Sequence, residues 1–220
     1  MTEITSTTGL VPPPWRLTGT AYVLIYRFSE GFVNERVTLP PALQGQFVGG
    51  LGALMLVDYA TSPVGSYREM LFSPGQFAFR GKKHHSITHI YVSSEASVEN
   101  GRANWGLPKQ RASFHIENLM DVERWRVEQE GRTLLDVRFR PGHLSFPVPG
   151  WLYRPRLMQP WQGSAYITRF KVSGRGQLAD LEQPKTGGDF PNIANARPLG
   201  VLHMPRFSLT FPPPRQFELS

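Results

Sequence analysis

The sequence contains no cysteine. That excludes a disulfide framework, a thiolate nucleophile and any cysteine metal site. Long apolar runs are also missing: the longest, FVGGLGALMLV from Phe47 to Val57, stops at Asp58, well short of the roughly 20 residues that cross a bilayer. No membrane span is expected. The opening text MTEITSTTGLVPPPW lacks the basic and apolar regions of a signal peptide, so a cytoplasmic protein is expected. The formal charge of +7 permits contact with polyanions. However, the basic residues are scattered, with no dense Lys/Arg block and no aromatic RNA-binding motif, and nucleic-acid binding is not expected. Glycines 45, 49, 50 and 52 form neither GxGxxG nor a Walker loop, which leaves nucleotide binding without support. A GxSxG nucleophile elbow is absent as well.

What is present points to a β-rich fold. The 220 residues are 40% apolar and carry 21 glycines and 20 prolines, enough for one sizeable core built from short strands and many turns. Residues 1–18, with Pro12, Pro13 and Pro14, read as an extended N-terminal arm packing through Trp15. Residues 19–220 read as a single domain. Strands are expected at Thr20–Phe28, Glu35–Leu39, Tyr67–Ser73, Ile87–Ser93, Ala165–Val172 and Val201–Phe211, and a coiled or bulged buried strand over Gly45–Tyr59. Gly81–His85 reads as an exposed loop. Ser94–Trp105 is the short-helix candidate, with Ser94 as N-cap and Gly106 and Pro108 ending it. Val122–Glu130 and Arg132–Arg140 alternate apolar and charged residues about Gly131, the pattern of a hairpin with one wet face. Pro141–Gly163 reads as an ordered excursion.

Among residues able to do chemistry, His84, His85 and His89 have no acidic partner at ligand spacing, and no metal site is assigned to them. Lys109, in NWGLPKQRASF, follows a glycine and proline turn and precedes alternating Ala112, Phe114 and Ile116, a context that anchors it near the core. An amine with a reference pKa of about 10.4 must shift by about 3 units, roughly 4 kcal/mol, to be neutral near pH 7. Burial supplies such a shift, and a neighbouring cation adds to it. A neutral amine attacks a ketone to give an imine, whose electron demand lets a bond at the next carbon break.

The text Gly101-Arg102, then Gly106-Leu-Pro108-Lys109, together with the upstream Ser62-Pro-Val-Gly-Ser-Tyr67-Arg-Glu69, resembles the paired GRE…GxPKK and SxxGxYxE signatures of the acetoacetate decarboxylase family, from about Tyr26 to Glu117. The resemblance implies a largely antiparallel β fold around a central cone-like barrel, with a cofactor-free site inside it. It also implies Lys109 as the imine-forming lysine, Glu69 as a site carboxylate, and a homo-oligomer. Tyr67, Arg27 and Arg111 complete the candidate set as substrate-binding residues. The chain departs from the family at Gln110, where a second lysine is usual, and at Ala103, where glutamate is usual. It also departs in the strand before Tyr67, where Asp58 is the only acid, and early in the chain, where Arg27 stands in for a carboxylate-binding arginine. A regular strand would place Lys109, Arg111, Ser113 and His115 opposite Ala112, Phe114 and Ile116, unless Pro108 and a bulge reset the register. The expected protein is therefore a carbon-carbon lyase using a Schiff-base lysine on a small keto acid or related carbonyl compound. The alternative is a non-catalytic β-barrel that binds a small apolar or anionic ligand.

Overall fold

The computed structural model describes residues 9–150, 155–182 and 184–219. The elements run β1 (Trp15–Tyr26), α1 (Glu30–Arg36), a 3-10 turn (Pro41–Leu43), β2 (Phe47–Gly49), β3 (Gly52–Thr61), β4 (Tyr67–Ser73), β5 (Gln76–Phe79), β6 (Lys82–His85), β7 (His89–Val92) and α2 (Glu95–Trp105). They continue with β8 (Lys109–Arg111), β9 (Ser113–Leu119), β10 (Val122–Gln129), β11 (Arg132–Val148), β12 (Arg156–Trp161), β13 (Ser164–Arg169), β14 (Lys171–Leu181), β15 (Lys185–Thr186), β16 (Gly200–Phe211) and β17 (Arg215–Glu218). An 11-stranded sheet runs β8-β7-β4-β3-β1-β16-β14-β11-β10-β9, with β15 beside β11. It curls 254° round an axis into a nearly closed barrel. A second sheet of six strands runs β17-β13-β12-β6-β5-β2. The fold is the mainly β, cone-barrel class expected from the sequence. Among the described residues, no helix is long and apolar enough to cross a membrane.

The large sheet buries both faces near its β8 end, where every residue of β7 and most of β3 and β4 are covered. One face is the barrel interior. Tyr22 of β1 stacks on Phe139 of β11 at 4.0 Å and meets Trp125 of β10 edge-on at 6.5 Å. Those strands are three and four places away from β1 in the sheet, so only a curled sheet brings the rings together. Leu24, Leu56, Met70, Phe72 and Tyr91 join the same cluster. Because side chains alternate along a strand, Tyr67 and Glu69 of β4 face the other way. There they meet a second cluster that includes Leu17, Val57, Tyr59, Val92, Val98, Trp105 and Phe207.

Several local expectations are corrected. Glu35–Leu39 is not a strand: Glu30–Arg36 is helical, because the Ser29 side chain caps the Phe32 N–H and Glu30 and Arg36 match the helix dipole at its two ends. The expected strand over Gly45–Tyr59 is two strands, broken where Gly49 and Gly50 take φ of +82° and +88°. Gly81–His85 is not an exposed loop but the arm of a hairpin, with Lys82–His85 paired to β5 and His84 buried. Ala165–Val172 divides at Phe170 between β13 and β14, which belong to different sheets. The excursion after Pro141 begins as a continuation of β11 to Val148; residues 151–154 within it, and residues 1–8 of the arm, lie outside the described residues. Trp15 already opens β1 and packs edge-on against Trp105 at 5.1 Å.

Phe139 fills the centre of the interior, and truncation there leaves a cavity beside Tyr22 that the curled sheet cannot close. Phe139→Ala is expected to lower stability by about 3–5 kcal/mol, read as a fall in the urea midpoint at constant m-value.

Candidate active site

Two sequence-local devices deliver the site. The first is the turn between β3 and β4, where Gly65 takes φ of +86° and its N–H donates to the Ser62 carbonyl at 3.1 Å. The Ser62 hydroxyl also accepts from the Val64 N–H at 3.2 Å. This turn sets Tyr59 directly opposite Tyr67, with their rings 4.7 Å apart, and puts Glu69 one pleat further along the same face.

The second device is the end of α2. Ser94 caps its start, accepting from the Ser97 N–H at 3.4 Å, and Gly106 closes it in the left-handed conformation at φ 63°. A side chain at Gly106 would also collide with Trp161 and Tyr166 of the smaller sheet at 2.7 Å. The Leu107 N–H then donates to the Gly101 carbonyl at 3.2 Å, and the Arg102 guanidinium grips the Lys109 carbonyl with two hydrogen bonds of 3.0 and 2.6 Å. The Lys109 chain lies across Gly101, where an added Cβ would stand 2.5 Å from Cδ and 2.8 Å from Cε. The glycine of the motif is thus a groove for the lysine stem, and the arginine is its anchor.

The result is a dry polar cluster between α2 and the sheet. Lys109, Glu69 and Ser97 are 3%, 4% and 0% exposed. Lys109 Nζ stands 2.9 Å from Glu69 Oε2 and donates to Ser97 Oγ at 2.9 Å, with the Tyr67 ring 5.1 Å away. The Tyr59 hydroxyl donates to the other Glu69 oxygen, Oε1, at 3.1 Å. Burial is the largest single influence on Lys109 and pushes its pKa down, but the Glu69 charge, Tyr67 and the hydrogen bonds to both together outweigh it, and the amine is held above the ordinary lysine value. Burial pushes Tyr67 up to about 12, and burial together with Glu69 raises Tyr59 well above the usual tyrosine range. The resting amine is therefore an ammonium, paired with Glu69 at 2.9 Å, within direct proton-transfer distance.

Of the residues singled out from sequence, Lys109, Glu69 and Tyr67 come together, whereas Arg27 and Arg111 do not join them. Arg27 is exposed just beyond the end of β1. The level of Glu69 on that strand is marked by Ala21, which pairs with Val57, about 20 Å from Arg27 at the rise of an extended strand. Arg111 points to solvent, 3.6 Å from the Glu95 carboxylate, and donates to the Val92 carbonyl at 3.4 Å. Asp58 pairs with Arg68 at 3.6 Å, half exposed. The expected placement inside the barrel is also revised: the alternation along β4 puts the cluster on the sheet face opposite the Tyr22 interior. The register is reset at Ala112, where β8 ends, so that Lys109 and Phe114 are both buried. His84, His85 and His89 diverge: His85 lies 3.3 Å from Gln76, and His89 packs with Phe72 and Phe190. Two surface hollows of about 330 Å³ each are lined by Arg126, Thr133, Asp136, Lys185 and Thr186, and by Arg111 to Ser113 with Glu128 to Glu130. Neither is formed by Lys109 or Glu69. Sequence reasoning missed Ser97 and Tyr59. Only Tyr59 had a legible signal, since the Ser62 turn pairs it with Tyr67.

Two predictions follow from this geometry. Gly101→Ala gains about 1 kcal/mol of helix propensity, yet it should evict the flexible lysine stem and strand the Glu69 carboxyl in the interior, which costs more, about 3–5 kcal/mol. A lowered melting temperature together with an altered reactivity of Lys109 toward an amine reagent is the expected pair of readings. In Glu69→Gln the charge that raises Lys109 is gone and burial dominates, so Lys109 should titrate at lower pH than in the wild type, read from the pH dependence of the same modification. The linkage runs the same way. In the wild type the folded amine holds its proton more tightly than the unfolded one, so the stabilisation is complete below the ordinary lysine pKa and is lost as pH rises through the folded pKa. Glu69→Gln should lack that alkaline loss.

Comparison with known proteins agrees with the motifs. The family model described as acetoacetate decarboxylase (ADC) matches residues 2–175. Among solved structures, acetoacetate decarboxylase from Legionella pneumophila is similar over 97% of this chain and 93% of its own, with TM-score 0.71 and 14% identity. An acetoacetate decarboxylase-like enzyme from Sphingomonas wittichii RW1 is similar over 100% and 99%, with TM-score 0.67 and 15% identity. The enduracididine biosynthesis enzyme MppR, solved in complex with pyruvate, is similar over 96% and 93%, with TM-score 0.66 and 16% identity. Comparison with curated protein sequences gives no match. With the fold shared end to end and a family model spanning most of its length, this chain belongs to the acetoacetate decarboxylase family.

Proposed function

We propose that this protein is a Schiff-base enzyme that joins Lys109 to the carbonyl carbon of a small keto acid or related carbonyl compound. The observation that carries the reading is the buried Lys109 and Glu69 pair, a nucleophile and a base 2.9 Å apart on regular elements. Glu69 takes one proton from the ammonium as substrate enters, and the freed lone pair attacks the carbonyl carbon. Loss of water from the addition product gives a protonated imine. That group is the electron sink, so the reaction needs no further cofactor.

Two branches lead onward. In one, the bond to a carboxylate breaks, carbon dioxide leaves, and the electron pair enters an enamine that is later protonated on carbon. In the other, Glu69 removes a proton from the neighbouring carbon, the enamine attacks an aldehyde, and Glu69 returns the proton to the new alkoxide. Glu69 favours the second branch, because it is placed to accept a proton. MppR, which has been solved with the condensation product of pyruvate and imidazole 4-carboxaldehyde, supports that preference. Arg27 and Arg111 have no part in this site as it stands.

Borohydride reduction in the presence of pyruvate is the test. One reduced adduct is expected, located by peptide mass on Lys109 and abolished in Lys109→Gln, which keeps a donor for the buried carboxylate. A tag on another lysine, or none across pyruvate, acetoacetate and simple aldehydes, would overturn the proposal in favour of a barrel that only binds such ligands. Carbon-carbon bond formation from pyruvate and an aldehyde, against carbon dioxide release from acetoacetate, separates the two branches.

A further inference from the structure

Imine formation moves protons at two atoms, and Glu69 accounts for only part of that traffic. After Glu69 has taken the first ammonium proton, the attacking nitrogen must lose a second as the carbonyl oxygen gains one. Direct transfer between those atoms passes through a strained four-membered ring; a hydroxyl that accepts from nitrogen while donating to oxygen relaxes it to six. Ser97 has that position. Its Oγ accepts from Lys109 Nζ at 2.9 Å, with no exposure to solvent, and the Tyr67 ring lies 5.1 Å from the same nitrogen. The hydroxyl is not spent on helix capping, since the Ser97 N–H is served by Ser94 Oγ. The other polar side chain buried on α2, Asn100, is committed to the Val11 N–H and the Ala96 carbonyl.

We propose that Ser97 is a catalytic residue, carrying a proton from the Lys109 nitrogen to the substrate oxygen during the addition step. The inference rests on the imine reading. The amine lone pair forms the C–N bond and the carbonyl π pair moves onto oxygen. The N–H proton passes to Ser97 Oγ as the Ser97 proton passes to that oxygen, and serine is regenerated. Protonated Glu69 then gives its proton to the new hydroxyl, water leaves, and the nitrogen lone pair closes the imine beside a restored carboxylate.

The test uses rapid mixing of the protein with a β-diketone, whose adduct with an amine is a conjugated enaminone with its own ultraviolet band. Ser97→Ala is expected to form the adduct about 100-fold more slowly, the low end of general acid-base effects, while reaching the same final extent on Lys109. Ser97→Thr, which keeps the hydroxyl, should recover most of the rate. A solvent deuterium isotope effect present in the wild type should vanish in Ser97→Ala. An unchanged rate in Ser97→Ala overturns the inference alone, and so does a slowdown fully matched by a shift in the Lys109 titration, since that is a structural role. A wild-type protein that forms no adduct at all overturns it together with the reading beneath it.

Discussion

The arrangement depends on a single ion pair kept out of water. Bringing an ammonium and a carboxylate into a dry interior costs several kcal/mol for each ion, and their attraction offsets that only when geometry is good and remaining hydrogen-bonding positions are filled. Here they are filled: Tyr59 serves the far oxygen of Glu69, while Ser97 and Tyr67 serve the amine. A pair satisfied in this way is stable at rest and unstable to the loss of either partner, and under the proposed function a carbonyl guest that converts the amine into an imine would find its base already in place. The ammonium also lies against the first turn of α2, whose N–H groups disfavour a cation by roughly 0.3–1 kcal/mol. That opposes Glu69 weakly and leaves the direction of the Lys109 shift unchanged.

Such a pair needs a sheet buried on both faces, and the aromatic interior is what makes the second face available. Tyr22, Phe139 and Trp125 hold the large sheet in its curl, and the outer face of β3, β4 and β7 can then be covered by α2. The smaller sheet presses Trp161 and Tyr166 against Gly106 at the helix end. This contact fixes the start of β8, and through it the position of Lys109. The chemistry at Nζ is thus positioned by packing on the far side of a glycine that could hold no side chain.

What the sequence made legible was local. Ser94 and Gly106 mark the ends of α2 because capping is decided by near neighbours, and Tyr67–Ser73 is read to the residue because the Ser62–Gly65 turn precedes it and the Pro74-Gly75 pair follows it. The carboxylate and the lysine were legible through the motifs that carry them. Ser97 was not, because a serine three residues into a helix has no local signature for a partner on a different strand. Glu35–Leu39 was misread because its β-branched residues outweighed the Ser29 cap that starts a helix six residues earlier. Arg27 was chosen by charge and order along the chain, neither of which registers that a strand of this length carries it to the opposite end of the barrel.

The departure at Gln110 follows from strand geometry. Consecutive residues on an extended chain point to opposite sides, and β8 obeys this: Lys109 is buried while Gln110 is exposed and accepts from the Gln129 side chain at 3.0 Å. A lysine at position 110 would on this backbone face Gln129 and solvent. It could influence Nζ only through a peptide and a screened medium, which weakens charge effects steeply compared with a contact at 2.9 Å. The largest charge influence on Lys109 in this fold therefore comes across the sheet from Glu69, and glutamine in place of a second cation leaves the buried pair as it stands. Activation by charge repulsion and activation by a facing base are different solutions to one problem, and the proposed function rests on the second, with Glu69 on β4 facing Lys109 on β8.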